Sequence, residues 1–316
     1  MGCGTSFLRF RGGAPVGAPG GASARRPWRA WALAARVPTL TAAVTPVLVG
    51  TAAAAAAGSF RVAHALGALA VALSIQVGTN FYNDALDFLR GADTSERRGP
   101  ARATQRGLLS PRQVLVGAYS CFGVAGCVGA YFVWLFGWPV LVAGLLAIAA
   151  GIGYTGGPWP FGYHGLGELF VFVFFGVVAV VGSAYVQTGT IVPLAAAASV
   201  PVGMLCTAIL VLNNLRDIET DRAAGKWTLA ARVGPRATGA MYLGCLVVAA
   251  AAPGVLRAAR LTGAWFWLPW LTVPLMGALV HAALLSRDPA TLNRALRQTA
   301  ALHLLFGILL AASFLL

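Results

Sequence analysis

The chain has 316 residues, of which 58% are hydrophobic and only 10% charged, with a mean hydropathy of +0.76. Soluble globular chains carry about 25% charged residues and under 50% apolar ones, so a water-soluble enzyme and a disordered chain are both poor readings. The net charge of +14 does not indicate a nucleic-acid partner, because the bases flank apolar runs as they do in loops facing anionic lipid.

Residues 1–27 are rich in Gly, Ala, Pro and Arg and show no apolar period, which predicts a disordered tail ahead of a membrane domain over 28–316. No apolar core with a small-residue cleavage site precedes the first span, so no cleaved leader is expected. Apolar runs follow at about 37–57, 62–86, 112–136, 138–157, 166–187, 191–214, 237–256, 265–286 and 299–316. Each is near the ~20 residues that cross a bilayer, so the fold class is all-α, a polytopic membrane protein of about nine transmembrane helices. Twenty bases lie in the N-terminal tail and the second, sixth and eighth interhelical loops, against Arg61, Arg257 and Arg260 on the other side. That asymmetry predicts a cytoplasmic N-terminus and cytoplasmic even-numbered loops in a plasma (inner) membrane. The five cysteines show no metal-ligand spacing.

Seven of the nine acidic residues fall in two short stretches, Asp84, Asp87, Asp93 and Glu96, then Asp217, Glu219 and Asp221. Each stretch lies at the cytoplasmic end of a span, where carboxylates are costly and mark function. At 100° per residue, Asn80, Asp84 and Asp87 share an arc of about 60° with Asn83 beside them, and Asn213, Asn214, Asp217 and Asp221 share about 100°. Two such oxygen-rich faces repel unless cations sit between them. Hard oxygen donors suit Mg²⁺, which bridges carboxylates to substrate phosphates, and nearby Arg and Lys supply further phosphate contacts. A single helix-end Asp is usually a solvated charge, but two Asn/Asp clusters in so acid-poor a chain weigh against that reading.

Asn83-Asp84-Ala-Leu-Asp87 and Asp217-Ile-Glu-Thr-Asp221 resemble the two aspartate-rich motifs of the UbiA superfamily of intramembrane prenyltransferases. The run Asp87-Phe-Leu-Arg90-Gly-Ala-Asp93-Thr, then Gly99-Pro-Ala-Arg102, Tyr154-Thr-Gly-Gly-Pro158, Gly162-Tyr-His164-Gly-Leu-Gly-Glu168, Asn213-Asn214-Leu-Arg216-Asp217 and Gly225-Lys226-Trp resembles its 1,4-dihydroxy-2-naphthoate polyprenyltransferase branch. The resemblance spans about 30–316. It departs at Gly91, where other branches carry an Asp, and at Arg36-Val-Pro-Thr-Leu40, which lacks one basic residue of the common pattern. It implies an intramembrane cavity and an Mg²⁺-dependent transfer from polyprenyl diphosphate to 1,4-dihydroxy-2-naphthoate, with loss of CO₂, giving demethylmenaquinol. Asp84, Asp87, Asp217 and Asp221 are then catalytic and, with Asn83, metal-binding. Asn80, Asn83, Arg90, Asp93, Arg102, Tyr154, His164, Glu168, Asn213, Asn214, Arg216 and Lys226 are substrate-binding candidates.

Glu168 follows a glycine-rich loop at a helix start, where it either complements the helix dipole or joins Tyr154 and His164 as a base near a phenolic acceptor. Phe170, Phe172, Phe174 and Phe175 read mostly as packing, with some able to flank an allylic cation. The same chemistry on 4-hydroxybenzoate or homogentisate, and a cation-coupled transporter, are the rival readings. A transporter places its carboxylates near the bilayer midplane more often than at one face.

Overall fold

The structure, a computed structural model, describes residues 27–91 and 99–316, so the expected tail and Asp93 lie outside the described residues. Among the described residues all regular structure is helical. In chain order the α-helices are α1 (Pro27–Ala35), α2 (Thr41–Ala56), α3 (Val62–Leu89), α4 (Pro111–Phe136), α5 (Trp138–Gly153), α6 (Gly167–Val171), α7 (Ala179–Thr188), α8 (Pro193–Ala223), α9 (Leu229–Ala258), α10 (Val273–Leu285) and α11 (Pro289–Leu315). A π-helical stretch, Phe172–Val178, joins α6 to α7 into one helix over Gly167–Thr188.

Among the described residues, seven helices are long and apolar enough to cross a membrane, or eight if the bent pair α1 and α2 is one span. The expected nine is not reached on that criterion. Helix α5 has 16 residues, about 24 Å at 1.5 Å per residue, against a hydrocarbon core of about 30 Å. Several ends also differ from the apolar runs. Helix α11 starts ten residues before its apolar run, because Asp288 caps it by accepting the Ala290 and Thr291 amides and Pro289 opens its first turn. The Thr291 hydroxyl and these amides hold the Asp288 carboxyl below its usual range. Helix α9 starts at Leu229 and turns through Gly234 (φ 82°) before Pro235.

Helices α3 and α8 are among those longer than the bilayer, and their excess builds the site. Helix α3 has 28 residues and α8 has 31, about 42 and 46 Å long. Their C-terminal turns therefore carry Asn80–Asp87 and Asn213–Asp221 to one face of the protein.

The core forms around α8, where Leu205 and Leu212 pack with Tyr242, Leu279, Leu302 and Phe306, all fully buried. Small residues allow close approach, the usual device where lipid removes the hydrophobic drive between helices. A Cβ on Gly307 would lie 2.2 Å from Thr45 Cγ2, and one on Gly203 would lie 2.9 Å from Gly176 Cα. A second core joins α3 to α4 through Phe81, Tyr82, Val114 and Phe122, with Trp31 of α1 edge-on to Phe81 at 5.3 Å. Helix α5 packs on α3 and α4.

Candidate active site

A cavity of about 1000 Å³ lies between these helices. Most of its wall is apolar and fine-grained, with Ala68, Ala72, Gly126, Gly129, Gly144 and Ala147 among the lining residues. Its polar end gathers Asn80, Asn83, Asp87, Arg102, Tyr154, Asn213, Asp217, Asp221 and Lys226, together with Arg36 and Thr220. The two acidic segments, some 130 residues apart in sequence, thus face one space, and Asp221 lies within electrostatic reach of both Asp217 and Asp87.

Each cavity carboxylate is met by a cation. The Arg102 guanidinium donates to Asp87 Oδ2 at 2.7 Å, with both side chains almost fully buried. Arg216 grips the neighbouring Asp217 with Nε at 2.8 Å and Nη2 at 2.5 Å. It also donates to Asn213 Oδ1 and Asn293 Oδ1. Lys226 Nζ stands 3.9 Å from Asp221 Oδ1, and the Thr228 hydroxyl donates to Asp221 Oδ2 at 3.3 Å. Pairing of this kind offsets part of the cost of burying these charges.

Asp84 has a different place. Its carboxylate accepts the Ala103 amide at 3.2 Å and the Thr104 hydroxyl, and it is 1% exposed and absent from the cavity wall. It pins the loop that presents Arg102. Arg90 also lies off the wall, donating to the Thr155 and Gly157 carbonyls. Asn83 accepts the Thr155 hydroxyl at 2.6 Å. Asn80 donates to the Ala35 carbonyl and the Thr39 hydroxyl, which secures the break between α1 and α2, where Arg36 has left-handed backbone (φ 52°).

Tyr154 lines the cavity with its hydroxyl against Gly167. Glu168 and Asn214 lie behind the wall, bonded to each other at 2.9 Å, with Glu168 Oε2 buried and without a hydrogen-bond partner. His164 does not join them. Its ring bonds the Pro160 carbonyl and stacks on Trp159 at 4.5 Å, off the cavity wall. Phe161, Phe170, Phe174 and Phe175 form an aromatic section of the wall, with Phe161 and Phe170 stacked at 3.8 Å. Phe172 instead packs on Gly203.

Sequence reasoning missed Tyr163, whose hydroxyl donates to Asp87 Oδ1 at 2.8 Å, and Thr155 beside Asn83. Tyr163 lies in a four-residue 3-10 turn, Phe161–His164, and Thr155 just after α5, in a connection too short for a period to single out a side chain. Their sequence signal is their place inside the Tyr154–Pro158 and Gly162–Glu168 motifs.

Among the described residues no three His, Cys, Asp or Glu side chains converge as a protein-only metal cage. The donors are carboxylate and amide oxygens spread around the cavity end. That set fits a hard cation which completes its coordination with water and substrate phosphate.

Residues 43–312 match the family described as the UbiA prenyltransferase family. The chain is 41% identical to a 1,4-dihydroxy-2-naphthoate octaprenyltransferase of Mycobacterium tuberculosis, over 78% of this chain and 82% of that protein. It is 34% identical to the Escherichia coli protein of the same description, over 89% and 93% of the two chains. The fold is shared with an apo UbiA homolog from Aeropyrum pernix K1 (TM-score 0.66, 17% identity, 84% of this chain and 96% of that one). It is shared as well with a UbiA homolog from Archaeoglobus fulgidus bound to GPP and Mg²⁺ (TM-score 0.62, 14% identity, 90% and 99%).

Proposed function

We infer the reaction from one premise: this chain belongs to the UbiA prenyltransferase family. It is a multi-pass membrane enzyme that transfers a polyprenyl group from polyprenyl diphosphate to 1,4-dihydroxy-2-naphthoate, releasing CO₂ and diphosphate and forming demethylmenaquinol. Its relatives described as 1,4-dihydroxy-2-naphthoate octaprenyltransferases support the acceptor. The single observation that carries the donor reading is the polar end of the cavity, where Asp87, Asp217 and Asp221 converge, each beside a cation, at the head of an apolar chamber.

Asp87, Asp217 and Asp221, with the Asn83 and Asn213 amide oxygens, would hold Mg²⁺. When bound, Mg²⁺ supplies charge neutralisation to the diphosphate leaving group. Arg102 and Lys226 reach the same space and donate to phosphate oxygens, Arg102 as a planar fork and Lys226 as a point charge. Asp84 acts indirectly, by fixing the loop that carries Arg102. The allylic carbon–oxygen bond breaks and its electron pair leaves with the diphosphate. The Phe161, Phe170 and Phe174 rings stabilise positive charge on the allyl fragment, and the apolar wall keeps out water that would trap it. The naphthoate ring carbon that bears the carboxylate then bonds to the allylic carbon. The carboxylate departs as CO₂, and the electron pair of the broken bond restores the aromatic ring. Tyr154 stands at the side of the cavity next to this aromatic section, with Glu168 behind the wall.

The protein lies in the plasma membrane with its N-terminus and its α3–α4 and α8–α9 loops cytoplasmic, as the arginine asymmetry supports. The test uses membranes holding the full chain, labelled polyprenyl diphosphate and either 1,4-dihydroxy-2-naphthoate or 4-hydroxybenzoate. Prenyl transfer to the naphthoate, abolished by excess EDTA and restored by Mg²⁺, is expected. Transfer only to the benzoate, or turnover that survives the chelator, would overturn the acceptor or the metal assignment respectively.

A further inference from the structure

The loop between α5 and α6 touches the first acidic segment and the loop that follows the second, and Tyr163 makes contacts to both. The Tyr163 hydroxyl donates to Asp87 Oδ1 at 2.8 Å, on α3. Its ring centroid lies 5.2 Å from Lys226 Nζ and 5.6 Å from the Arg90 guanidinium carbon. Its carbonyl accepts the Trp227 amide at 3.0 Å. The ring thus meets Arg90 from the end of α3 and Lys226 from the loop after α8. Lys226 in turn stands 3.9 Å from Asp221.

We propose that Tyr163 is a positioning residue that sets the separation of the two halves of the diphosphate site, orienting Asp87 through its hydroxyl and holding Lys226 against its ring. The proposal rests on the diphosphate reading above and adds to it the element that registers one acidic segment against the other. The physical need is plain. The two carboxylate groups repel and lie on different helices, α3 and α8. An aromatic ring offers two cations attraction without competing for carboxylate oxygens, while the hydroxyl fixes the carboxylate rotamer of Asp87. Lys226 alone would be a flexible four-carbon stem. Against the ring it loses less freedom when a phosphate arrives.

The two contributions separate by substitution. Tyr163→Phe keeps the ring and loses the bond to Asp87, while Tyr163→Leu loses both. The measurement is binding of geranyl diphosphate with Mg²⁺ to the purified full chain in the absence of acceptor, with Asp87→Ala as reference. We expect Tyr163→Phe to weaken binding about fivefold, for one hydrogen bond. Tyr163→Leu should weaken it about 25-fold, for the hydrogen bond and the cation–ring contacts together. The Mg²⁺ concentration for half-saturation should rise in the same order. In turnover the diphosphate KM should follow that order too, while the acceptor KM stays within about twofold, since the ring contacts lie at the phosphate end. Partial recovery in Phe relative to Leu is the signature of positioning. If Tyr163→Leu does not purify as a monodisperse protein, Tyr163→Phe, which keeps the ring's volume, decides alone. Parental affinity and Mg²⁺ dependence in the tyrosine variants, with binding lost in Asp87→Ala, would overturn the role of Tyr163. Parental affinity in Asp87→Ala would overturn the diphosphate reading itself, and this proposal with it.

Discussion

Removing Asp87 should damage the protein twice, and the two effects can be separated. Its carboxylate is 2.7 Å from the Arg102 guanidinium, with side-chain exposures of 7% for Arg102 and 5% for Asp87. It also accepts the Tyr163 hydroxyl. At that distance and an effective dielectric of about 20, the Coulomb attraction is about 6 kcal/mol, most of it offset by desolvation of both ions. Deleting one partner keeps the desolvation cost of the other, and buried pairs broken in this way lose about 3–5 kcal/mol. At about 2 °C per kcal/mol for a chain of this size, Asp87→Ala should lower the melting temperature in detergent by about 6–10 °C, besides abolishing transfer. Adding Arg102→Met removes the stranded charge at similar volume. The double variant should recover at least half of the lost melting temperature and remain inactive. Measurable prenyl transfer by the double variant would refute the place of Asp87 at the chemistry. An unchanged melt in Asp87→Ala would refute the energetic importance of the buried pair.

Asp84 anchors a loop, so Thr104→Val, which removes the hydroxyl that donates to it, should reproduce the Asp84→Asn phenotype. Both should lower the melting temperature and raise the diphosphate KM through Arg102, and divergence of the two variants in steady-state kinetics would refute the shared cause. Lys226→Gln should raise the polyprenyl diphosphate KM about tenfold for a lost contact of about 1.4 kcal/mol, leaving the acceptor KM unmoved. Equal rises in both constants would place Lys226 elsewhere. His164→Ala should retain turnover and cost little stability, because its ring stacks on the half-exposed Trp159 outside the cavity. A collapse of turnover with an unchanged melt would return His164 to the acceptor site.

The membrane class, the order of the spans and the two oxygen-rich helix ends are written locally in the chain. Apolar runs near 20 residues leave a helix little choice in lipid, and Asn80, Asn83 and Asp87 fall on one arc by helical geometry alone. What periodicity cannot supply is the absolute rotation of a helix against its neighbours. Asp84 and Asp87 are three residues apart and about 60° around the axis from one another. That small angle is enough to send Asp87 into the cavity and Asp84 to the loop at 103–104. Asp217 with Arg216 and Asp221 with Lys226 are near neighbours in the chain, but spacing could not pair Asp87 with Arg102, since any of a score of arginines had the right charge. That choice depends on the fold of the segment that carries Arg102. The same holds for His164 and Tyr163, neighbours in one short 3-10 turn. One turns to Trp159 and the other reaches Asp87. Helix ends beyond the apolar runs, such as the start of α11 at Pro289, followed the Asp288 cap rather than hydropathy. Local sequence decided which segments cross the membrane and where charge collects, because burial in lipid acts on each segment separately. Tertiary packing decided the long-range meetings, Asp87 with Arg102 and with Tyr163, because such a contact forms only where two backbones bring their side chains within a few ångströms.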